Sequence, residues 1–376
     1  MSRPRAQARR TWLRVHLWLG LLLGVVFVLL GLTGSLLVFY NELDRGLNPA
    51  LTAQRRVPPP SMAAVQQVLR RAEPQREGGW RVEWPLAPEV PLTARYYQPA
   101  EREGHFFAPL MLTLDPATLA ISSRRFWGDY LVTWVYDLHY TFLAGAVGRT
   151  LVGWMGWVMA LSIVSGLYLW WPSARRLLPA LRPWVRSGPV RACYDVHMLA
   201  GVYGGLILLV LCLTGTALAW PETTRTVLRI SPPGGMVQAV PAGVTAPLDV
   251  DQGVVLARSR FPQAEVRWVD LPARTGTVLS VRLHQAQEPG RRFPKTQVWI
   301  DLAAGQVVAV QDPLQSAWGH RVMNWLHPLH NGEAFGFWGR VVVGACGLVP
   351  LVLLLTGWLR WRQKSRARAL AVSRVA

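Results

Sequence analysis

The chain is short of charge. Only 16% of its 376 residues are charged, against 51% hydrophobic, whereas soluble proteins carry about 25% charge. The shortage is one-sided: 21 acidic residues face 40 basic ones, almost all Arg, for a net charge of +19. Cysteine is scarce as well. Cys212 and Cys346 lie in apolar runs and Cys193 just before one, with none in a polar segment, so no disulfide framework is implied. There is no CxxC, CxxCH or four-cysteine cluster, which argues against covalent c-type haem and iron–sulfur centres. No HExxH, GxSxG or catalytic Cys/His pair supports a hydrolase. No Rossmann or flavin signature is present, so a nicotinamide has no recognised seat.

What the chain has instead is long apolar runs. Leu17–Phe39, Leu151–Trp171, Met198–Trp220 and Val341–Leu359 contain no charged residue, and each suffices to cross a bilayer as helix, which takes about 20 residues. The first run follows Arg3, Arg5, Arg9 and Arg10 in the manner of a signal peptide. Its apolar core is too long for one, no small-x-small cleavage site ends it, and its pattern recurs later.

Arginine sets the expected topology. The tail before the first run has Arg3, Arg5, Arg9, Arg10 and Arg14; the connection between the second and third has Arg175, Arg176, Arg182, Arg186 and Arg191; the last segment has Arg360, Arg362, Lys364, Arg366, Arg368 and Arg374. Acidic residues are almost absent there, and the positive-inside rule places all three in the cytoplasm. The basic balance is therefore a topology signal and not a nucleic-acid signal. The expected order is a cytoplasmic tail (1–16), a span (17–39), an outer domain (40–130), an outer-face segment (131–150), a span (151–171) and a cytoplasmic loop (172–197). A span (198–220), a second outer domain (221–325), an outer-face segment (326–340), a span (341–359) and a cytoplasmic tail (360–376) follow. The expected location is a bacterial inner membrane, with both termini cytoplasmic and the lipid bilayer as first partner.

The two halves repeat. His16, Gly20, Gly24, Thr33 and Gly34 recur at identical spacing as His197, Gly201, Gly205, Thr214 and Gly215. Trp134, His139, Gly145, Arg149, Gly153, Gly156, Gly166 and Trp170 correspond to Trp325, His330, Gly336, Arg340, Gly344, Gly347, Gly357 and Trp361. An even number of spans separates the copies, so the repeat is parallel, two spans plus two, with its axis along the membrane normal. Each outer segment reads as α+β. SMAAVQQVLRRA and DVDQGVVLARSRF have helical period, and WRVEWP, PLTARYY, FAPLMLTLD, VRWVDL, VLSVRLHQ and TQVWIDL read as strands. The fold class is thus a membrane α-helical protein of four spans carrying two extracytoplasmic α+β domains.

The histidines carry the chemistry. His16 and His197 lie on glycine-lined helix stripes, and two readings stand. Small residues permit close helix packing with histidine as a polar contact; or the glycines make room for a flat macrocycle whose iron the imidazole ligates. Histidine fills two pairs of equivalent positions, His16 with His197 and His139 with His330, as two bis-His b-type haems would require. A zinc or copper site finds no intramembrane Asp, Glu or Cys beside the histidines. His139 precedes Leu151 by 12 residues, about 18 Å of straight helix. Either the chain bends at Gly145/Gly148 and Gly336/Gly339 or this pair sits at the outer surface. Arg149 and Arg340 reach headgroups or a haem propionate. Asp137 and Asp195, each two residues before a histidine, are candidates to support the ligands from behind. His327 has Tyr136 in its place in the first half and is no ligand, and His105, His284 and His320 read as solvated.

RVHLWLGLLLGVVFVLLGLTGSLLVF and DVHMLAGVYGGLILLVLCLTGTALAW resemble the first helix of the PepSY-associated transmembrane family. DLHYTFLAGAVGRTLVGWMG and PLHNGEAFGFWGRVVVGACG, with SGLYLWWP and TGWLRW, resemble its second. The outer segments are similar to PepSY domains, with Asp301 and Gly305 in the final turn and Ala117–Leu119 replacing that glycine in the first copy. The family includes iron-regulated inner-membrane proteins and ferric-siderophore reductases with membrane haem. The resemblance implies His16, His139, His197 and His330 as axial ligands, outer domains that help receive a ferric siderophore, and electrons from quinol or a separate donor. A non-enzymatic envelope binding or regulatory protein and an iron or siderophore transport component are the alternatives. Only four spans and the lack of intramembrane charge weigh against transport.

Overall fold

The computed structural model describes residues 3–53, 60–85, 87, 90–172, 175, 177–181, 188–230, 238–239 and 246–373. Arg176, Arg182, Arg186 and Arg374 lie outside the described residues. The helices in chain order are α1 (Arg3–Leu37), α2 (Tyr40–Leu47), α3 (Met62–Ala72), α4 (Leu131–Thr141), α5 (Gly145–Trp170), α6 (Leu177–Ala180), α7 (Pro189–Leu199), α8 (Gly205–Ala219), α9 (Pro221–Val227), α10 (Val250–Arg260), α11 (Trp318–His330), α12 (Gly336–Cys346) and α13 (Val349–Ser373). The chain folds as two units. Met1–Phe39, Leu138–Trp220 and Leu329–Ala376 form a helical unit; Tyr40–Asp137 and Pro221–Pro328 form a sheet unit.

Four helical stretches are long and apolar enough to cross a membrane: Ala6–Leu37, Gly145–Trp170, Pro189–Ala219 and Glu333–Ala369. They cover the four apolar runs and make the chain a multi-pass membrane protein in contact with lipid. The helices outrun the apolar segments, so His16 lies well inside α1 and His197 inside α7. A wide π-helical stretch at Ala200–Gly204 joins α7 to α8. Glycine lets helices of the unit touch backbone to backbone. A Cβ on Gly31 would lie 2.3 Å from the Gly347 carbonyl oxygen, and beside it the Ser35 hydroxyl donates to the Gly344 carbonyl at 2.7 Å. The other half has the same device: a Cβ on Gly156 would lie 2.2 Å from Thr216 Oγ1, which donates to the Gly153 carbonyl at 3.1 Å. Small residues with a bridging hydroxyl are the usual means of membrane helix association.

The chain bends before the second and fourth spans. After α4, Phe142, Leu143 and Gly145 take φ of 48°, 58° and 55°, and the chain turns into α5. The turn is so tight that a Cβ on Gly148 would lie 1.6 Å from the Thr141 carbonyl oxygen. After α11, Gly332 and Gly336 take φ of 79° and 61°, and a Cβ on Gly339 would lie 2.2 Å from the Gly332 carbonyl oxygen. Of the two placements open for His139 and His330, the bent chain is the one found.

The sheet unit contains β1 (Arg81–Glu83), β2 (Leu92–Tyr96), β3 (Leu110–Leu114), β4 (Ile121–Phe126), β5 (Gln238–Ala239), β6 (Glu265–Asp270), β7 (Val278–His284), β8 (Thr296–Asp301) and β9 (Gln306–Gln311). The two polar segments do not form two separate sheets, as the sequence suggested. They share one sheet in the order β4-β3-β2-β1-β6-β7-β8-β9-β5, sealed by antiparallel pairing of β1 with β6 through Arg81↔Asp270, Val82↔Val269 and Glu83↔Trp268. Pairing the two inner edges removes two exposed strand edges at once. One core runs across the seam: Met62, Val65 and Leu69 of α3 and Val254 and Ala257 of α10 pack with Val82, Leu112, Val269, Val281 and Ile300. The helices brace each other, since Asp251 of α10 accepts from Ser61 Oγ at 2.5 Å and from the Met62 amide at 2.6 Å. The hairpin turns differ between halves. Gly305 sits at φ 66°, while Leu119 adopts φ 57° after the Asp115 turn, a conformation that costs a branched side chain roughly 1–2 kcal/mol.

Glu73 is the hub of an ion network below α3. It accepts from Arg124 Nε at 2.6 Å and Arg76 Nε at 3.3 Å, and Arg76 also grips Glu101. Burial opposes ionisation of Glu73, but the bonds from Arg124 and Arg76 outweigh it and hold the carboxyl below its usual range. A carboxylate whose pKa is lower folded than unfolded stabilises above the unfolded value and loses that contribution as pH falls through the folded one. Glu73→Gln should therefore lower the near-ultraviolet melting midpoint at pH 7 by roughly 5 °C. It should also flatten the fall that the unaltered protein shows below about pH 4.5. Equal acid sensitivity in the two proteins would rule this network out as its source.

Candidate functional site

The four repeat histidines meet in two pairs within the helical unit. The His16 and His197 rings lie 6.3 Å apart, centre to centre, at 87°. Those of His139 and His330 lie 6.2 Å apart at 48°. Both pairings join the first half of the chain to the second. Thr33, which holds His139, follows His16 by 17 residues on α1, so the pairs are about 26 Å apart along that helix, close to the roughly 30 Å of a bilayer core.

Each ring is held in the same way. His16 Nδ1 bonds Ser165 Oγ at 3.0 Å and the Ser162 carbonyl at 3.0 Å. His139 Nδ1 bonds Thr33 Oγ1 at 3.0 Å, and His197 Nδ1 bonds Thr356 Oγ1 at 2.9 Å. His330 Nδ1 bonds Thr214 Oγ1 and the Leu211 carbonyl, both at 3.1 Å. The hydroxyl protons are committed elsewhere: Thr33 to Leu29, Thr214 to Val210, Thr356 to Val352 and Ser165 to Ser162, all backbone carbonyls at 2.6–2.7 Å. Each hydroxyl can therefore only accept from the imidazole, and a carbonyl can only accept. Nδ1 carries the proton in all four, which leaves the Nε2 lone pair to bind a Lewis acid. This is how metal-ligating histidines are oriented.

A glycine follows each hydroxyl residue: Gly166, Gly34, Gly357 and Gly215. A Cβ there would stand 2.9, 3.0, 3.4 and 2.8 Å, respectively, from Cε1 of the held ring. The Ser/Thr-Gly step thus supplies both the hydrogen bond and the room for the ring. It is the local signal that sequence reasoning passed over, although Thr33, Gly34, Thr214 and Gly215 stood in the repeat. The rest of the glycine stripe divides its work. Gly31 serves helix crossing, and a Cβ on Gly24 would meet Leu354 at 2.6 Å. One turn beyond His16 and His197, a Cβ on Gly20 would meet nothing within 4 Å and one on Gly201 only Leu353 at 3.7 Å.

Arg340 donates from Nε and Nη2 to the Val38 carbonyl at 3.2 and 2.8 Å and lies over the Phe39 ring. Arg149 reaches the Leu218 carbonyl at 3.5 Å. Both arginines thus meet carbonyls at helix C-termini, where a cation is favoured. Asp137 accepts from Trp127 Nε1 at 2.9 Å, and burial pushes its carboxyl up to about 6. Asp195 pairs with Arg191 at 3.0 Å. His327 packs edge-on against Phe293, and His105 is exposed. His284, read as solvated, is instead buried at 8% exposure.

An imidazole nitrogen lies about 1.1 Å from its ring centre and about 2.0–2.1 Å from a metal it binds, so rings on opposite sides of one ion have centres roughly 6.3 Å apart. Both pairs match that span. Among the described residues no group of three or more His, Cys, Asp or Glu could hold a metal, so two nitrogens are what each pair offers. A metal already held in four positions by a macrocycle needs two such nitrogens. Residues 13–364 match the sequence model of the PepSY-associated TM region. No curated protein matches the chain.

Proposed function

The chain belongs to the PepSY-associated TM family, and from that premise we propose that it is a haem-containing electron-transfer protein of the bacterial inner membrane that reduces a ferric siderophore or other ferric chelate on the outer side during iron acquisition. The observation that carries this reading is the fourfold arrangement of histidines with Nδ1 held and rings paired at 6.2–6.3 Å. His16 with His197 and His139 with His330 would be the axial ligands of two b-type haems. When bound, haem b supplies a one-electron couple.

The chain's own residues do the rest. The hydroxyls of Ser165, Thr356, Thr33 and Thr214 fix the tautomer and ring orientation, and the glycines beside them admit the rings. We assign Arg149 and Arg340, at equivalent positions of the two halves, to the carboxylates at the edge of the cofactor. Two parallel two-span halves, facing each other across both pairs, account for each pair drawing one ligand from each half. With no nucleotide-binding motif in the chain, the electron comes from quinol or a separate donor. One electron converts Fe(III) to Fe(II), which binds hard oxygen donors less tightly and is released.

The test is the visible spectrum of detergent-purified protein, air-oxidised and then dithionite-reduced. A Soret band with sharp reduced α and β bands of b type is the expected result. A colourless protein from haem-replete cells would overturn the proposal.

A further inference from the structure

The sheet has one face covered by α3 and α10 and an opposite face that gathers positive charge. Strand pairing brings this about: Arg81 on β1 stands across from Asp270 on β6, and Trp268 across from Arg282 on β7. Trp268 lies between the two guanidinia, with Arg81 Cζ 4.5 Å and Arg282 Cζ 5.2 Å from its ring centre. Arg81 also covers the Tyr97 ring at 5.1 Å. Lys295 leads into β8, whose Gln297 pairs with Arg282.

Three cations share two carboxylates, Asp270 and Glu288. Asp270 is bound by Arg81 at 2.5 Å and stands 3.7 Å from Arg282. Arg282 Nε is buried without a hydrogen-bond partner, and the Lys295 side chain makes no hydrogen bond or ion pair among the described residues. Burial and then Arg81 depress the pKa of Arg282 against the pull of Asp270, and burial and then Arg282 depress that of Lys295 against the pull of Glu288. Cations crowded round one carboxylate cost stability, and a polar group left unpaired in a folded protein, as Arg282 Nε is, calls for an explanation. A fork of guanidinium donors suits paired oxygens of carboxylate, catecholate or phosphate type, and the exposed fractions of the Arg81 and Arg282 side chains, 15% and 26%, leave them accessible to a solute. Tyr97, which is exposed, adds a flat face for a ring.

We propose that Arg81, Arg282 and Lys295, around Trp268 and Tyr97, form a binding site for a polyanionic aromatic chelate, of the class in which several catecholate or carboxylate oxygens surround a trivalent metal. That the metal is ferric iron rests on the electron-transfer reading above; the anion site does not. Charge is the discriminating property, so a neutral trihydroxamate complex is a poor ligand.

Calorimetric titration of the full chain in detergent tests this with gallium(III), which does not undergo reduction. The gallium tris-catecholate should bind at least tenfold more tightly than the neutral gallium trihydroxamate. Arg282→Gln and Lys295→Gln should each weaken it at least fivefold, with the melting midpoint not lowered and the haem spectrum unchanged. Equal binding of the neutral complex, or full affinity in both variants, would overturn the site. So would inorganic phosphate binding as tightly as the chelate, which would mark a site for free phosphate or a lipid headgroup. If the gallium complex binds as expected while the iron complex stays oxidised in the presence of donor, the site stands and the reductase reading falls.

Discussion

His139→Ala protein is expected to hold half the haem of the unaltered chain, measured as pyridine haemochrome per polypeptide. His330→Ala should do the same, and the double variant should lose no more, because both rings serve one pair at 6.2 Å. His16→Ala and His197→Ala should remove the other half, and combining His16→Ala with His139→Ala should give a colourless protein. The grouping is what matters: four histidines assort into two pairs, each drawn from both halves of the chain. Thr33→Val separates ligation from support. It leaves His139 Nε2 intact but removes the acceptor that holds Nδ1 at 3.0 Å, so haem should remain with affinity lowered about 10–100-fold. Single variants that all lose haem to the same extent as the His16/His139 double variant would dissolve the two-site arrangement, and variants that lose none would return the histidines to helix packing.

How much of this was legible in the sequence differs by element. The four spans were, since an apolar run without charge has one physical solution in a bilayer. The histidine pairs were, because repetition turned four isolated residues into two sets of equivalents. Their Ser/Thr-Gly supports were not read. A hydroxyl on a membrane helix usually bonds its own backbone, as Thr33 does to Leu29, and only the fold shows its second lone pair accepting from a ring 106 residues away. The β1–β6 seam had no local signature either. Arg81, Val82 and Glu83 alternate like any short strand, and an edge strand does not encode its partner. The carbonyls at the ends of α8 and α1 that Arg149 and Arg340 meet were not read either. A helix end is invisible to a reading that takes each span by itself.

The bends before α5 and α12 give the sharpest mutational test, because they position His139 and His330 without touching either. A Cβ on Gly148 would meet the Thr141 carbonyl oxygen at 1.6 Å, and one on Gly339 would meet that of Gly332 at 2.2 Å. These obstacles are backbone atoms and cannot rotate aside as a side chain would. Overpacking in a deformable core costs about 1–3 kcal/mol; with backbone on the other side the cost should reach roughly 4 kcal/mol, the range of exceptional single substitutions. The turn should open rather than absorb this, carrying α4 or α11 and its histidine out of register. Gly148→Ala and Gly339→Ala are therefore each expected to lose the haem of the His139/His330 pair and keep that of the His16/His197 pair, giving half the wild-type content. Gly188→Ala is the control, since its Cβ would meet nothing within 4 Å, and full haem content is expected. If Gly148→Ala retained both haems with an unchanged spectrum, the bend could not be what sets the ligand, and the second pair would have to be fixed from elsewhere in the fold.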